Sequence, residues 1–113
     1  MENRIKKSVG TLLAHIIKVD DRDVEKEVPL FCKIMGENFD CNPDEAKELL
    51  TTVLKEEYNL DEHIDTISIA LEEDKLSRYH LMEQLNHIIF SDTITADDYQ
   101  VFEKIKNRLF PGD

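Results

Sequence analysis

The chain has 113 residues and is 41% hydrophobic, which suits one domain around one modest core. Its 25 acidic and 14 basic residues leave a formal charge of −11. That balance repels the phosphates of nucleic acid and anionic membrane surfaces, and suits cations, basic partners or plain solubility. No apolar run approaches the roughly 20 residues of a membrane span. The charged stretch Met1 to Lys7 leads into no signal-type segment. A cytoplasmic address with no direct membrane insertion is therefore expected.

In chain order, the apolar residues repeat with helical period almost everywhere. Ile5, Val9, Leu12, Leu13, Ile16 and Ile17 share one face of a first helix that ends near Val19. Gly10 weakens that helix and leaves room for a neighbour to approach. Asp20, Asp21 and Asp23 then form an acidic loop, and Asp23 can cap a second helix from about Val24 to Met35. Pro29 predicts a kink or a later start for this helix, and Gly36 predicts its stop. Asn42-Pro43-Asp44-Glu45 is a strong start signal for a third helix carrying Ala46, Leu49, Leu50, Val53 and Leu54. Asn59 with Glu62 opens a fourth, bearing Leu60, Ile64, Ile67 and Leu71. A fifth follows Glu72-Glu73-Asp74, with Leu81, Leu85, Ile88 and Ile89 as its stripe. Thr95 with Asp98 starts a sixth that carries Val101, Phe102, Ile105 and Leu109 and ends at Pro111-Gly112. The expected fold is all-α, a compact bundle of six to seven helices across residues 1–113.

Two stretches resemble each other. Leu13 to Asp20, an acidic loop, and Phe31 to Ile34 correspond to Leu85 to Asp92, a loop, and Phe102 to Ile105. His15 and His87 hold equivalent places, as do Phe31 and Phe102. Each copy is a helix, an Asp-bearing turn and a second helix with an acid in its first turn. A pair of helical hairpins about a pseudo-twofold axis explains this pattern on structural grounds alone. If the copies pack symmetrically, the turns come together and Asp20, Asp21, Glu27, Asp92 and Asp98 converge. Clustered carboxylates repel unless neutralised, so such a cluster would favour a hard divalent cation such as calcium.

This twice-given pattern resembles the TerB-like family of tellurite-resistance proteins, over about Lys7 to Leu109. The resemblance implies an all-helical fold, a role in tellurite or other stress resistance, and a metal site built from the two turns. Carried over, the first copy offers Asp20 or Asp21 with Glu27, and the second Asp92 with Asp98. A related domain forms the N-terminal part of membrane-anchored DjlA-type co-chaperones; the resemblance carries over for the helical domain alone. The family's turns usually read Ala-Asp-Gly. Here Asp21 or Arg22 and Thr93 stand where the glycine would, and Asp98 replaces the usual Glu, which implies a different turn geometry.

The bland alternatives remain open on the residues themselves. The acidic loop is no EF-hand, because Lys26 and Cys32 fall where glycine and glutamate are required. Its acids read equally as helix caps and solvated surface. His15 and His87 could offer imidazole to a softer metal or sit as boundary histidines; His63 and His80 carry no motif. Cys32 and Cys41 have neither disulfide-framework nor zinc spacing, and read as a packed residue and a loop residue or as a regulatory thiol pair. Arg4, Lys6, Lys7 and Lys18 make the first helix basic, either as a solvated face paired with nearby acids or as a docking face. No phosphate loop, nucleophile elbow or zinc-protease motif is present. The readings that follow are a non-enzymatic cation-binding module, a metal-independent module with a protein partner, and, least favoured, an enzyme. Oligomeric state is not legible.

Overall fold

Six α-helices and one short 3-10 turn make up the regular structure of residues 2–111, which the structure, a computed structural model, describes. A 3-10 turn at Asn3–Ile5 leads into α1 (Lys6–Val19), followed by α2 (Val24–Asn38), α3 (Pro43–Lys55), α4 (Leu60–Ala70), α5 (Lys75–Ile89) and α6 (Ala96–Leu109). No strand occurs among the described residues, and no helix there is long and apolar enough to cross a membrane.

Helix starts follow the capping residues. The side chains of Asp23, Asn42, Asn59 and Asp74 each accept a backbone N–H of the first turn that follows, which satisfies donors the helix itself leaves unpaired. Thr95 and Asp98 form a complete capping box at α6. The second helix begins at Val24, as read, with Pro29 inside it, but departs from its sequence reading at the other end, where it runs through Gly36 to Asn38. Packing overrides the local signals: Phe31, Ile34 and Met35 are buried along it, and Asn38 donates its amide to the Ile34 carbonyl at 2.7 Å, extending the last turn. The chain leaves the helix at Phe39 in an extended conformation.

α1 is the central element, packed against each of the other five helices. Val9, Leu12, Leu13, Ile16 and Ile17 are all within 1% of full burial. Gly10 is where α3 comes closest: a Cβ there would lie 2.8 Å from Leu49 Cδ2. The buried apolar side chains of all six helices join one core cluster. The basic residues of the first helix lie beside acids, Lys6 with Glu45 at 3.7 Å and Lys7 with Glu56 at 3.4 Å, while Lys18 stacks over the Tyr58 ring.

Burying α1 also fixes two histidines. His15 Nδ1 shares a 2.7 Å hydrogen bond with Tyr58 Oη, and His63 Nδ1 a 2.9 Å bond with Ser8 Oγ. Burial first, and then Lys18 and Lys104 for His15 or Lys7 for His63, pushes both imidazoles below their ordinary value of 6.5. The unfolded chain therefore takes up these protons first as pH falls from 6.5. Stability is expected to be full above that value and to decline as pH drops through the lower folded values. A series of urea midpoints across this window should show the decline, and His15→Gln should flatten it. An unchanged slope in that variant would assign the pH response elsewhere.

Candidate functional site

The loop between α1 and α2 and the loop between α5 and α6 meet. α1 ends in a double hydrogen-bonded reversal: Asp21 N–H donates to the Lys18 carbonyl at 3.2 Å and Arg22 N–H to the Ile17 carbonyl at 3.0 Å. This motif requires a left-handed residue, and Asp21 supplies it with φ 49°. It is the sole non-glycine residue with positive φ among the described residues. The first turn thus keeps the backbone shape that glycine would adopt with least strain, contrary to the altered geometry expected from the missing glycine. Asp21→Gly is expected to stabilise the protein by about 0.5–1 kcal/mol, and Asp21→Val to destabilise it by about 1–2 kcal/mol. Denaturant midpoints test this; a less stable Gly variant would mean that the Asp21 carboxylate has work of its own.

The reversal turns Arg22 inward, where its side chain is only 2% exposed. Its guanidinium donates from Nη1 to the Ile88 carbonyl at 2.6 Å and from Nη2 to the Ile89 carbonyl at 3.0 Å, capping the C-terminus of α5. Nη2 also lies 3.0 Å from Asp98 Oδ2 and 3.2 Å from Asp20 Oδ2. Further bonds cross between the turns. Thr95 Oγ1 donates to Asp20 Oδ1 at 2.6 Å, and Ser91 Oγ donates to Glu27 Oε2 at 2.8 Å. The first copy therefore binds an acid of the second, and the second binds acids of the first.

The five sequence-predicted acids divide into two sets. Asp20 and Asp98 are brought together as buried side chains around Arg22, and Glu27 is buried against Ser91 of the second turn; Glu27 and Asp98 are each 1% exposed. Asp21 is exposed on the outside of its turn. Asp92 is partly exposed, accepts from its neighbour Thr93 N–H, and stands 3.9 Å from Lys26 Nζ. Burial pushes the Asp20 carboxyl up, but the Asp98 carboxyl beside it and hydrogen bonds from Thr95 and Arg22 outweigh it and hold the group below its usual value. Asp98 moves the other way, raised by burial and by the Asp20 carboxyl beside it. Of the pair, Asp98 takes up a proton first. Its Oδ2 accepts from Arg22 and from Thr95 N–H, whereas its buried Oδ1 has no hydrogen-bond partner.

As a metal site this donor set fits poorly. The space between the Asp20 and Asp98 carboxylates holds a guanidinium, and no group of three or more His, Cys, Asp or Glu side chains among the described residues is arranged to hold one ion. The equivalence of His15 and His87 is not kept: His15 is half-buried against Tyr58, while His87 is exposed. Cys32 is half-buried and Cys41 buried, and burial pushes both thiols up, away from reactivity. Sequence reasoning missed Arg22, Ser91 and the Thr95 hydroxyl as site residues. The available signal was the single arginine set among Asp20, Asp21 and Asp23.

The family model described as Tellurite resistance protein TerB matches residues 6–109, from the first turn of α1 to the end of α6. No curated protein and no solved structure matches the chain. With nearly its whole length covered, including both helix–turn–helix copies, the chain belongs to the TerB family.

Proposed function

We propose that this TerB-family domain is a non-enzymatic, cytoplasmic interaction module whose acidic turns are joined by its own arginine rather than by a divalent cation, leaving its surface free to hold a protein partner. The observation that carries this reading is Arg22: one guanidinium bridges Asp20, Asp98 and two carbonyls of α5 in a buried position. A fixed internal cation does what a bound ion would do, since it neutralises the carboxylates and ties the two copies together. Exposed Phe90, Ile94 and Tyr99 on the adjoining surface support a docking role. The family's description supports a setting in tellurite resistance.

A second reading, a divalent cation such as calcium, is favoured by one observation. Two buried carboxylates, Asp20 and Asp98, share a single guanidinium, and a third, Glu27, is buried against the Ser91 hydroxyl, so negative charge is in excess. Asp21 and Asp92 would then add donors from the turn surfaces.

Thermal unfolding of chelator-treated protein, with and without millimolar calcium, magnesium, manganese or zinc, separates the two. The arginine-locked reading expects no ion-specific shift. An ion bound at about 100 times its dissociation constant adds roughly 2.7 kcal/mol, or about ten degrees in a domain of this size. Such a shift, abolished in an Asp20→Asn/Asp98→Asn double variant, would overturn the first reading in favour of the second.

A further inference from the structure

The two copies of the repeat are covered differently. In the first, the α1/α2 pair is packed by α5 and also by α3. In the second, the α5/α6 pair is packed by α1, the counterpart of α5, and among the described residues no other helix packs against both. Between α5 and α6 an open groove remains. Its wider end, about 410 Å³, is lined by Tyr79, Met82, Phe102, Lys106 and Phe110, and Phe102 also lines the smaller cavity beside the end of α5. Tyr79 is 50% exposed and Phe102 half-buried. Aligning His15 on His87 and Phe31 on Phe102 places these five residues on Lys7, Gly10, Phe31, Met35 and Phe39. In the first copy that is the seat of α3. A Cβ on Gly10 would lie 2.8 Å from Leu49 Cδ2 and 3.4 Å from Met35 Cε, and Lys7 pairs with Glu56 at the end of α3 at 3.4 Å. Phe31 and Met35 are fully buried. The groove is thus the second copy's version of a surface that the first copy covers with a helix.

We propose that this groove takes one amphipathic α-helix of a partner protein, seated on α5 and α6 as α3 is seated on α1 and α2, with an aliphatic stripe in the groove and one acid facing Lys106. The repeat selects a helix. Where the equivalent surface is covered, its occupant is a helix whose apolar stripe is Ala46, Leu49, Leu50 and Val53. Phe102 and Phe110 repeat the aromatic pair Phe31 and Phe39, so an aliphatic stripe suits both copies. Lys106 selects the acid, because it stands where the first copy has Met35. Its neighbours Lys104 and Arg108 on α6 are held by Asp61 and Asp65 of α4, whereas Lys106 has no acid within ion-pair reach among the described residues. In α3, Leu49 is the residue that meets Gly10 beside Met35, so an acid at its place in the occupant would lie next to the Lys106 ammonium. Met82 replaces Gly10 and makes the second groove shallower, which suits an exchangeable partner rather than a permanent element of the fold.

This inference rests on the interaction-module reading and names its partner chemistry. The test is a two-dimensional NMR titration of the whole labelled chain with synthetic peptides of residues 42–55, which are α3 with its N-cap. One peptide carries Leu49→Glu and the other Leu49→Lys, with blocked ends and at constant ionic strength. The glutamate peptide is expected to give saturable shifts confined to the facing sides of α5 and α6, with a dissociation constant on the order of a millimolar, since a short helix must be ordered on binding. The lysine peptide is expected to bind at least threefold more weakly. The chain's charge of −11 would favour the lysine peptide, so the opposite preference reads Lys106 locally. Exposed Lys106→Glu should reverse the preference, and Tyr79→Ala should weaken both peptides severalfold while the spectrum stays folded. A preference for the lysine peptide, a preference that survives Lys106→Glu, or shifts at α1 and α2 in place of α5 and α6 would each overturn the proposal. Groove signals that move on dilution of the protein alone would give the place to a second copy of the chain and overturn it as well. A failed peptide titration leaves the arginine-locked module standing, whereas stabilisation by a divalent ion removes that module whatever the peptides do.

Discussion

Arg22→Met is expected to destabilise the protein by about 3–5 kcal/mol, the loss typical when one partner of a buried ion pair is removed and its charge is left behind. In a domain of this size that lowers the thermal midpoint by roughly 10 to 20 °C. The methionine retains most of the volume, so the effect reads charge and hydrogen bonding rather than a cavity. Two carboxylates, Asp20 and Asp98, lose their shared counter-charge, and the Ile88 and Ile89 carbonyls at the end of α5 lose their cap. Arg22→Lys should recover only part of the loss, because an ammonium cannot span both the carboxylates and the carbonyls from one position. A double-mutant cycle sharpens the point. Adding Asp98→Asn to Arg22→Met should restore some stability, since it removes a stranded charge while keeping an acceptor for Thr95 N–H. Additive losses would mean that Arg22 and Asp98 are not energetically linked.

The second large effect separates the two copies of the repeat. Phe31→Ala is expected to cost about 3–5 kcal/mol, the range for emptying a buried aromatic site. Phe31 is 0% exposed in the central core beneath α1. Its repeat counterpart Phe102 is only half-buried and lines the open cavities between α5 and α6. Phe102→Ala should therefore cost clearly less, about 1–2 kcal/mol, because part of its surface is already wet. Chemical denaturation of the two variants tests this. Equal losses would mean that the second hairpin is packed as tightly as the first and that the groove is closed in solution.

That difference explains what was legible in the sequence. Helical periodicity and caps are local signals, so Asn42, Asn59, Asp74 and Thr95 marked their helix starts without any knowledge of neighbours. Gly36 misled for the same reason: its local preference to end the helix was overridden by the burial of Phe31, Ile34 and Met35 along α2. The repeat showed that the two turns had equivalent places, and they do meet. It could not show which side chains face inward. Asp20, Glu27 and Asp98 point into the junction, while Asp21 is turned out by its own left-handed backbone. Arg22 was hidden because a base among acids usually reads as a solvated pair. Its meaning comes from contacts with residues 88 to 98, far along the chain, which only the packed hairpins bring within reach.

The central claim is that Arg22 is a fixed internal cation between the two acidic turns, and the guanidinium itself can report on it. In a proton–nitrogen NMR spectrum tuned to arginine side chains, a guanidinium held by Asp20, Asp98 and two carbonyls should give resolved Nη–H signals that exchange slowly with water. These signals should not move when millimolar calcium or magnesium is added. Averaged, fast-exchanging Nη signals at Arg22, or slow ones that are released as calcium is titrated in, would contradict the account and return the acidic turns to a metal ion.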